Sequence, residues 1–325
     1  MSDLRMKLHK LKLFGVVYTF VDQLVEHGIV DKEIKWLAAT RRFSATKMSD
    51  YPALISEYYY TQTGEKLDLD KPATYNEKIQ WLKVHDTTDL KKKLADKYEC
   101  REWVADRIGS RYLVDLIGVW DDFDDIDFDA LPSRFALKCS HGSGMNIIVT
   151  DKAKLDVKDA RKKINRWMKT DFSCVYGFEL QYHDTHHRII AEEYIENGGE
   201  DLYDYKFWYN NGKLDFIILM EDRKNGLAVS YYDPEWNRMD SIDDPHPGKG
   251  VPRPDNLDEM IEISGKLAEG FYHVRVDLYR LDDGTIKFGE MTFSSATGTR
   301  KWEPDGVDLM LGSHLRLPVD ESDSK

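Results

Sequence analysis

Two rhythms of apolar and polar positions divide the chain. Up to about residue 110 the apolar residues recur every three or four positions, the spacing of one helix face; beyond it, short runs alternating at every second residue take over. Pro52 with Leu54, Ile55, Tyr58 and Tyr59 forms one expected helix, closed by Gly64. Thr74-Tyr75-Asn76-Glu77 is a capping box that opens another, carrying Ile79 and Leu82. A third, from Asp96 to Ile108, holds Cys100, Trp103 and Val104 and ends at Gly109. Strands are expected over residues 113–120, 135–138, 146–149 and 188–195, with a hairpin pairing 203–209 with 214–221 across Asn210-Asn211-Gly212. Helices over 157–168, capped by Asp156, and over 257–270 lie among them. The acidic stretch 121–129 reads as a solvated connection, and 233–254, where Pro and Gly concentrate, as a long surface loop. The pattern is that of an α+β protein with a mostly antiparallel sheet.

The last alternating segment, 272–293, carries the sharpest signal. With Asp283-Gly284 as a two-residue turn, Asp282 pairs with Thr285, Asp277 with Glu290 and Arg275 with Thr292, all on one face. Val274, Val276, Leu278, Met291 and Phe293 take the other face, as a sheet packed on a core requires. Opposed carboxylates repel unless a positive charge lies between them. A divalent cation supplies that charge, and magnesium typically takes one or two carboxylates plus substrate phosphates. The competing reading is an ordinary charged sheet face in which Arg275 neutralises Asp277.

At 325 residues and 37.9 kDa, with 41% hydrophobic residues, the chain has the size for one large domain or two to three subdomains. A net charge of −13 argues against a nucleic-acid backbone as the main partner. Cys100, Cys139 and Cys174 match neither a disulfide framework nor a zinc pattern, and point to a reducing cytoplasm. The opening segment, basic and then apolar but interrupted by Asp22 and Glu26 and without a small-residue cleavage site, does not read as a signal peptide; it reads as an amphipathic helix docked on the domain, with peripheral contact at the inner face of the membrane as the alternative.

Other candidates are individually ambiguous. The loop Ser140-His141-Gly142-Ser143-Gly144 joins two strands, with Lys138 at the end of the first; its backbone amides and the lysine suit phosphate oxygens, although a plain turn also wants glycine. Lys97 stands at the start of an expected helix, where an anion is favoured. Glu192-Glu193-Tyr194-Ile195 ends a strand, Asp204 and Lys206 share a strand face, and Arg223 follows the next strand. Together these cations and paired carboxylates suit a magnesium nucleotide and an anionic co-substrate.

The order of Asp96-Lys97, FALKCSHGSG, IIAEEYI, DYKFWYNNGK, VRVDLY and FGEMTF resembles an ATP-grasp protein. PATYNEKIQWLK and LPSRFALKCSHGSG narrow the resemblance to the TupA-like branch, associated with bacterial cell-surface polysaccharide biosynthesis, over roughly residues 70–318. It implies an ATP-grasp fold in which two α+β subdomains clasp ATP, residues 91–195 and 196–318, after a mainly helical region 1–90 and before a disordered tail 319–325. It also implies that Lys97 and Lys138 contact phosphates, that His141, Gly142, Ser143 and Gly144 close over them, and that Glu192 with the backbone of Glu193 and Ile195 receives the adenine beside Asp204. Asp277, Glu290 and Thr292 would hold magnesium, with Thr292 where the superfamily commonly has Asn, and Arg275, Arg223 and Lys206 would serve the transferring phosphoryl group.

The activity so implied is ATP-dependent joining of a carboxylate to an amine through an acylphosphate, the carboxylate belonging to a uronic acid of a surface glycan or to a small molecule such as an amino acid. A kinase on the same fold, a nucleotide-sugar glycosyltransferase and a non-catalytic scaffold are the alternatives.

Overall fold

The computed structural model describes residues 32–196, 202–221 and 226–322. Five helices come first: α1 (Lys32–Phe43), α2 (Tyr51–Thr63), α3 (Tyr75–His85), α4 (Asp89–Ala95) and α5 (Cys100–Ile108). Gly64 ends α2 in the left-handed conformation (φ 76°), its N–H donating to Tyr60 O, a turn most side chains resist. The capping box of α3 forms as expected: Thr74 Oγ1 accepts from Glu77 N at 3.2 Å, and Glu77 Oε2 accepts from Thr74 N at 3.0 Å. Two expectations shift here. Helix α5 begins at Cys100, so Lys97 lies in the turn before it, where Asp96 Oδ1 accepts from the N–H groups of Tyr98 and Glu99. Helix α4 has no counterpart in the sequence reading, because its three consecutive lysines mask the one large apolar residue it buries, Leu94.

Strands β1 (Leu116–Trp120), β2 (Phe135–Cys139), β3 (Asn146–Val149) and β4 (Ile189–Glu193) form a sheet in the order β1-β4-β2-β3, every ladder antiparallel. Between β3 and β4 runs α6 (Val157–Trp167), which buries Ala160, Ile164 and Trp167 and is capped by Asp156 as read. The second sheet, β7-β6-β5-β8-β9, is also antiparallel throughout: β5 (Tyr203–Asn210), β6 (Lys213–Glu221), β7 (Ala228–Tyr232), β8 (His273–Arg280) and β9 (Ile286–Thr292). The β5–β6 turn falls where Asn210-Asn211-Gly212 placed it but is shorter: Asn210 pairs with Lys213, leaving two turn residues, Asn211 and Gly212, both left-handed (φ 48° and 75°). Edge strand β7 escaped the sequence reading, being five residues long, with a strand on one side and only isolated bridges to Pro247 and Arg238 on the other.

One face of the second sheet, with Tyr205, Phe207, Val274, Val276 and Leu278, packs with α7 (Leu257–Ala268) into a core continuous with the first sheet. The opposite face is divided. Its β6 side, with Trp208, Phe216 and Ile218, is covered by α3 and α8 (Val307–His314). The close approach of these helices depends on Gly312, since a Cβ there would strike Ala73 O and come within 2.7 Å of Thr74 C. The rest of that face carries the charged residues of β5, β8 and β9. Residues 319–322, read as part of a disordered tail, fall in a short helix α9 (Pro318–Ser322), held where Lys78 Nζ and Leu317 N both donate to Asp320 Oδ2 at 2.8 Å.

Candidate functional site

The β8–β9 hairpin places Asp277 directly opposite Glu290 and Arg275 opposite Thr292. It reaches that register by a different route from the one the turn suggested. Leu281 N donates to Thr285 O, so the loop is the three residues Asp282, Asp283 and Gly284, with Gly284 left-handed (φ 85°), and the first pairs are offset by one. A bulge at Gly289 restores the alignment before Glu290. A Cβ at Gly289 would sit 3.1 Å from both Asp277 O and Tyr279 Cε2, a contact tighter than side chains usually make, so the bulge favours glycine.

The charge between the two carboxylates is the Arg275 guanidinium. Its Nε donates to Asp277 Oδ1 at 2.6 Å, and one Nη to Asp277 Oδ2 at 2.8 Å and to Glu290 Oε1 at 3.0 Å. Lys206 Nζ also donates to Asp277 Oδ2 and pairs with Asp204 Oδ2 at 2.7 Å. Burial pushes the Asp277 carboxyl up, but Arg275 and Lys206 outweigh it and hold the group below the usual carboxylate range. Asp277 is therefore committed to two cations. Glu290, its side chain 32% exposed, keeps coordinating capacity beside Thr292, whose Oγ1 donates to Glu290 Oε1 at 3.1 Å. Magnesium held by one carboxylate and by nucleotide phosphates would fit this donor set, in which Glu290 is turned outward and Asp277 lies behind it. Among the described residues no cluster of three or more His, Cys, Asp or Glu has the makings of a self-sufficient metal cage.

Across from this hairpin stands the loop after β2. A cavity of about 290 Å³ is lined on one side by Ser143 and Gly144 and on the other by Arg275, Glu290 and Thr292. The loop divides by side. Ser143 and Gly144, the latter left-handed (φ 69°), face the cavity, whereas His141 is buried, its Nε2 on Trp167 O at 3.1 Å and its ring stacked 3.5 Å from that of His187. His141 thus anchors the loop rather than facing the cavity. Gly142 is packed too tightly for a side chain, since a Cβ would lie 2.8 Å from the Phe172 ring. Lys97 Nζ donates to Gly142 O, which ties the turn before α5 to this loop.

Lys138 Nζ donates to Glu192 Oε2 at 2.6 Å, and Arg101 reaches Glu192 Oε1 at 2.9 Å. The Glu193 N–H is given to Asp115 O at 2.9 Å, which leaves its exposed side chain and Ile195 at the strand end. Arg223 lies outside the described residues. Two residues that the sequence did not signal complete the cavity region: Glu179, half-buried on its wall, and Lys83 from α3, buried behind it. Both depend on the irregular segment between α6 and β4, which carries no periodic pattern.

Burial, with His187 adding its charge beside His141, and with Lys91 and Arg275 near His273, holds both His141 and His273 down at about 3. The unfolded chain protonates its histidines near 6.5, so below that pH it takes up protons that the folded state refuses, and stability falls as pH drops toward 3. Each ring should contribute about 1.4 kcal/mol per pH unit to that slope. His141→Phe, which keeps a ring beside His187, should remove one such share when urea unfolding is compared at pH 7 and pH 5; an unchanged slope would show that His141 is protonated in the fold.

The sequence profile described as TupA-like ATPgrasp matches residues 77–316. The chain belongs to the TupA-like ATP-grasp family. No curated protein matches it. Solved structures similar to it include N5-carboxyaminoimidazole synthetase from Staphylococcus aureus, at 15% identity over 62% of this chain and 44% of that one (TM-score 0.38). D-alanine–D-alanine ligase from Bacillus anthracis, complexed with ATP, is 14% identical over 62% and 55% (TM-score 0.38). D-alanine–D-alanine ligase from Helicobacter pylori is 14% identical over 69% and 61% (TM-score 0.36). The chain spans about half the length of the first of these structures. As a member of this family it has the expected mixed architecture of helices and two antiparallel sheets. Among the described residues no helix is long and apolar enough to cross a membrane. The opening segment read as an amphipathic helix lies outside them.

Proposed function

We propose that the protein is an ATP-dependent carboxylate–amine ligase that binds MgATP between its two sheets. The observation that carries this reading is the single cavity shared by the Ser143–Gly144 backbone and the Arg275, Glu290 and Thr292 side chains. Backbone amides and Lys97 and Lys138 on one side would receive phosphates, with Glu192 and the end of β4 toward the base; Glu290 beside Thr292 would hold magnesium, which when bound neutralises phosphate charge, with Asp277 behind it on Arg275 and Lys206. Arg275, fixed by Asp277 on two oxygens, would meet the transferring phosphoryl group, with Lys206 steadying Asp277; Arg223, outside the described residues, is the third cation assigned to that group.

The chemistry needs alignment and charge, not a protein nucleophile. That agrees with the candidates present: burial pushes the Cys100, Cys139 and Cys174 thiols up to about 12, and the His141 ring that a Ser143 nucleophile would want is bonded to Trp167 instead. For substrates, the reading is attachment of an amino acid or other amine to a uronic acid or similar carboxylate in bacterial surface polysaccharide synthesis, in the cytoplasm, with no nucleic-acid partner. What supports it is family membership; the cavity by itself supports a small carboxylate and an amine.

The test is ADP release with uronic and amino acids as carboxylates, with and without amines. Turnover that needs both partners and yields an amide is expected. A stable phosphate ester formed without amine would make the protein a kinase, and thermal stabilisation by nucleotide sugars but not by MgATP would make it a glycosyltransferase.

A further inference from the structure

The wall of the cavity that runs from the Gly142–Gly144 loop past Phe172 to Glu179 is aromatic and acidic. Trp36 of α1 meets Phe172 edge to face at 5.9 Å and Tyr176 at 6.2 Å, Phe172 meets Tyr182 at 5.2 Å, and all four rings line the cavity. Glu179 lies on the same wall and is not used by the metal or phosphate groups assigned above. Ser294 Oγ, itself accepting from Gln181 Nε2 at 2.7 Å, donates to the Glu179 carboxylate and fixes its direction. Rings beside a carboxylate are the chemistry that receives an ammonium group, since the ring faces and the anion both attract a cation while excluding water. The face of the Trp36 ring carries an ammonium from its own helix: the Lys32 Nζ, four residues earlier, sits over it, 5.1 Å from its centre.

We propose that Trp36, Tyr176 and Glu179 seat the amine co-substrate as its ammonium ion, and that Glu179 takes the proton that frees the nitrogen lone pair. The proposal rests on the ligase reading above and supplies the half of it that the nucleotide site leaves open. The ammonium gives one proton to the Glu179 carboxylate; the freed pair forms the C–N bond to the acyl carbon, the bond from that carbon to the phosphate oxygen breaks, and the second nitrogen proton leaves with the phosphate. Burial, reinforced by Glu290 and offset by Lys83, Ser294 and Arg275, pushes the Glu179 carboxyl up, which makes it a better proton acceptor than an exposed glutamate.

The test needs no turnover. Saturation-transfer NMR on the full chain should show 1,4-diaminobutane bound and 1,4-butanediol not bound. Glu179→Gln should weaken the diamine at least tenfold while leaving MgATP affinity within twofold by calorimetry. Tyr176→Leu, which leaves the carboxylate in place, should weaken the diamine severalfold and serves if Glu179→Gln does not fold. Equal binding of diamine and diol, or a Glu179→Gln protein that loses magnesium affinity and keeps the diamine, overturns the proposal. Failure of the wild type to bind MgATP would instead remove the ligase reading, whatever the diamine does.

Discussion

Lys138→Ala is expected to weaken MgATP binding by about thirtyfold or more with the fold intact, because a charged contact to phosphate in a water-poor site is worth about 2–5 kcal/mol and each 1.4 kcal/mol is tenfold. The fold should survive for a local reason. Lys138 is one of two cations on Glu192, and its removal leaves Arg101 at 2.9 Å on the other carboxylate oxygen, so the buried acid stays paired. Lys138 itself is 22% exposed, and its truncation opens no apolar void. The stability change should stay near 1 kcal/mol in urea unfolding. Calorimetric affinity for MgATP equal to the wild type would show that Lys138 only balances Glu192.

Lys83→Met should have the largest effect on stability, a loss of about 3–5 kcal/mol, the range found when one partner of a buried polar cluster is removed. Lys83 Nζ donates to Gln80 Oε1 at 3.0 Å, Gly177 O at 2.8 Å and Thr297 O at 2.6 Å. The last of these belongs to three consecutive left-handed residues, Ala296, Thr297 and Gly298 (φ 50°, 49° and 62°), a conformation that costs about 1 kcal/mol or more for each residue with a side chain. Gln80 Nε2 donates to Gly298 O at 2.6 Å and holds the same turn. Methionine fills the space but takes the lysine donor from Gly177 O and Gln80 Oε1, leaves Thr297 O with Gln80 Nε2 alone at 3.0 Å, and leaves Glu179 without its cationic neighbour. Because Ala296 and Thr297 line the cavity, the variant should also bind MgATP more weakly. A melting temperature equal to the wild type would mean that water takes over these bonds.

The fold was legible where periodicity and turn chemistry agree. The alternation of 272–278 and of 290–293 put the apolar set on the core face and the charges on the other, and the Asn210-Asn211-Gly212 signal placed the turn between β5 and β6. The opposition of Asp277 and Glu290 came out in register through two offsets that cancel: a turn longer by one residue than Asp283-Gly284 suggests, and the bulge at Gly289. Glycine inside a strand is the trace of such a bulge in a sequence, but its effect on register depends on how the partner strand closes. Glu179 and Lys83 were not legible. One sits in irregular backbone and the other in a helix whose pattern says only that it is amphipathic, and their meeting is decided by tertiary packing. The inward turn of His141 is of the same kind, since it depends on His187, 46 positions away.

The shared cavity is the centre of this account, and the most direct measurement is a crystal structure with magnesium and a non-hydrolysable ATP analogue. The account predicts the triphosphate lying against the backbone of residues 142–144 within reach of Lys138, with magnesium bound to Glu290. Nucleotide bound elsewhere, or magnesium found away from Glu290 with the Arg275–Glu290 contact undisturbed, would contradict it.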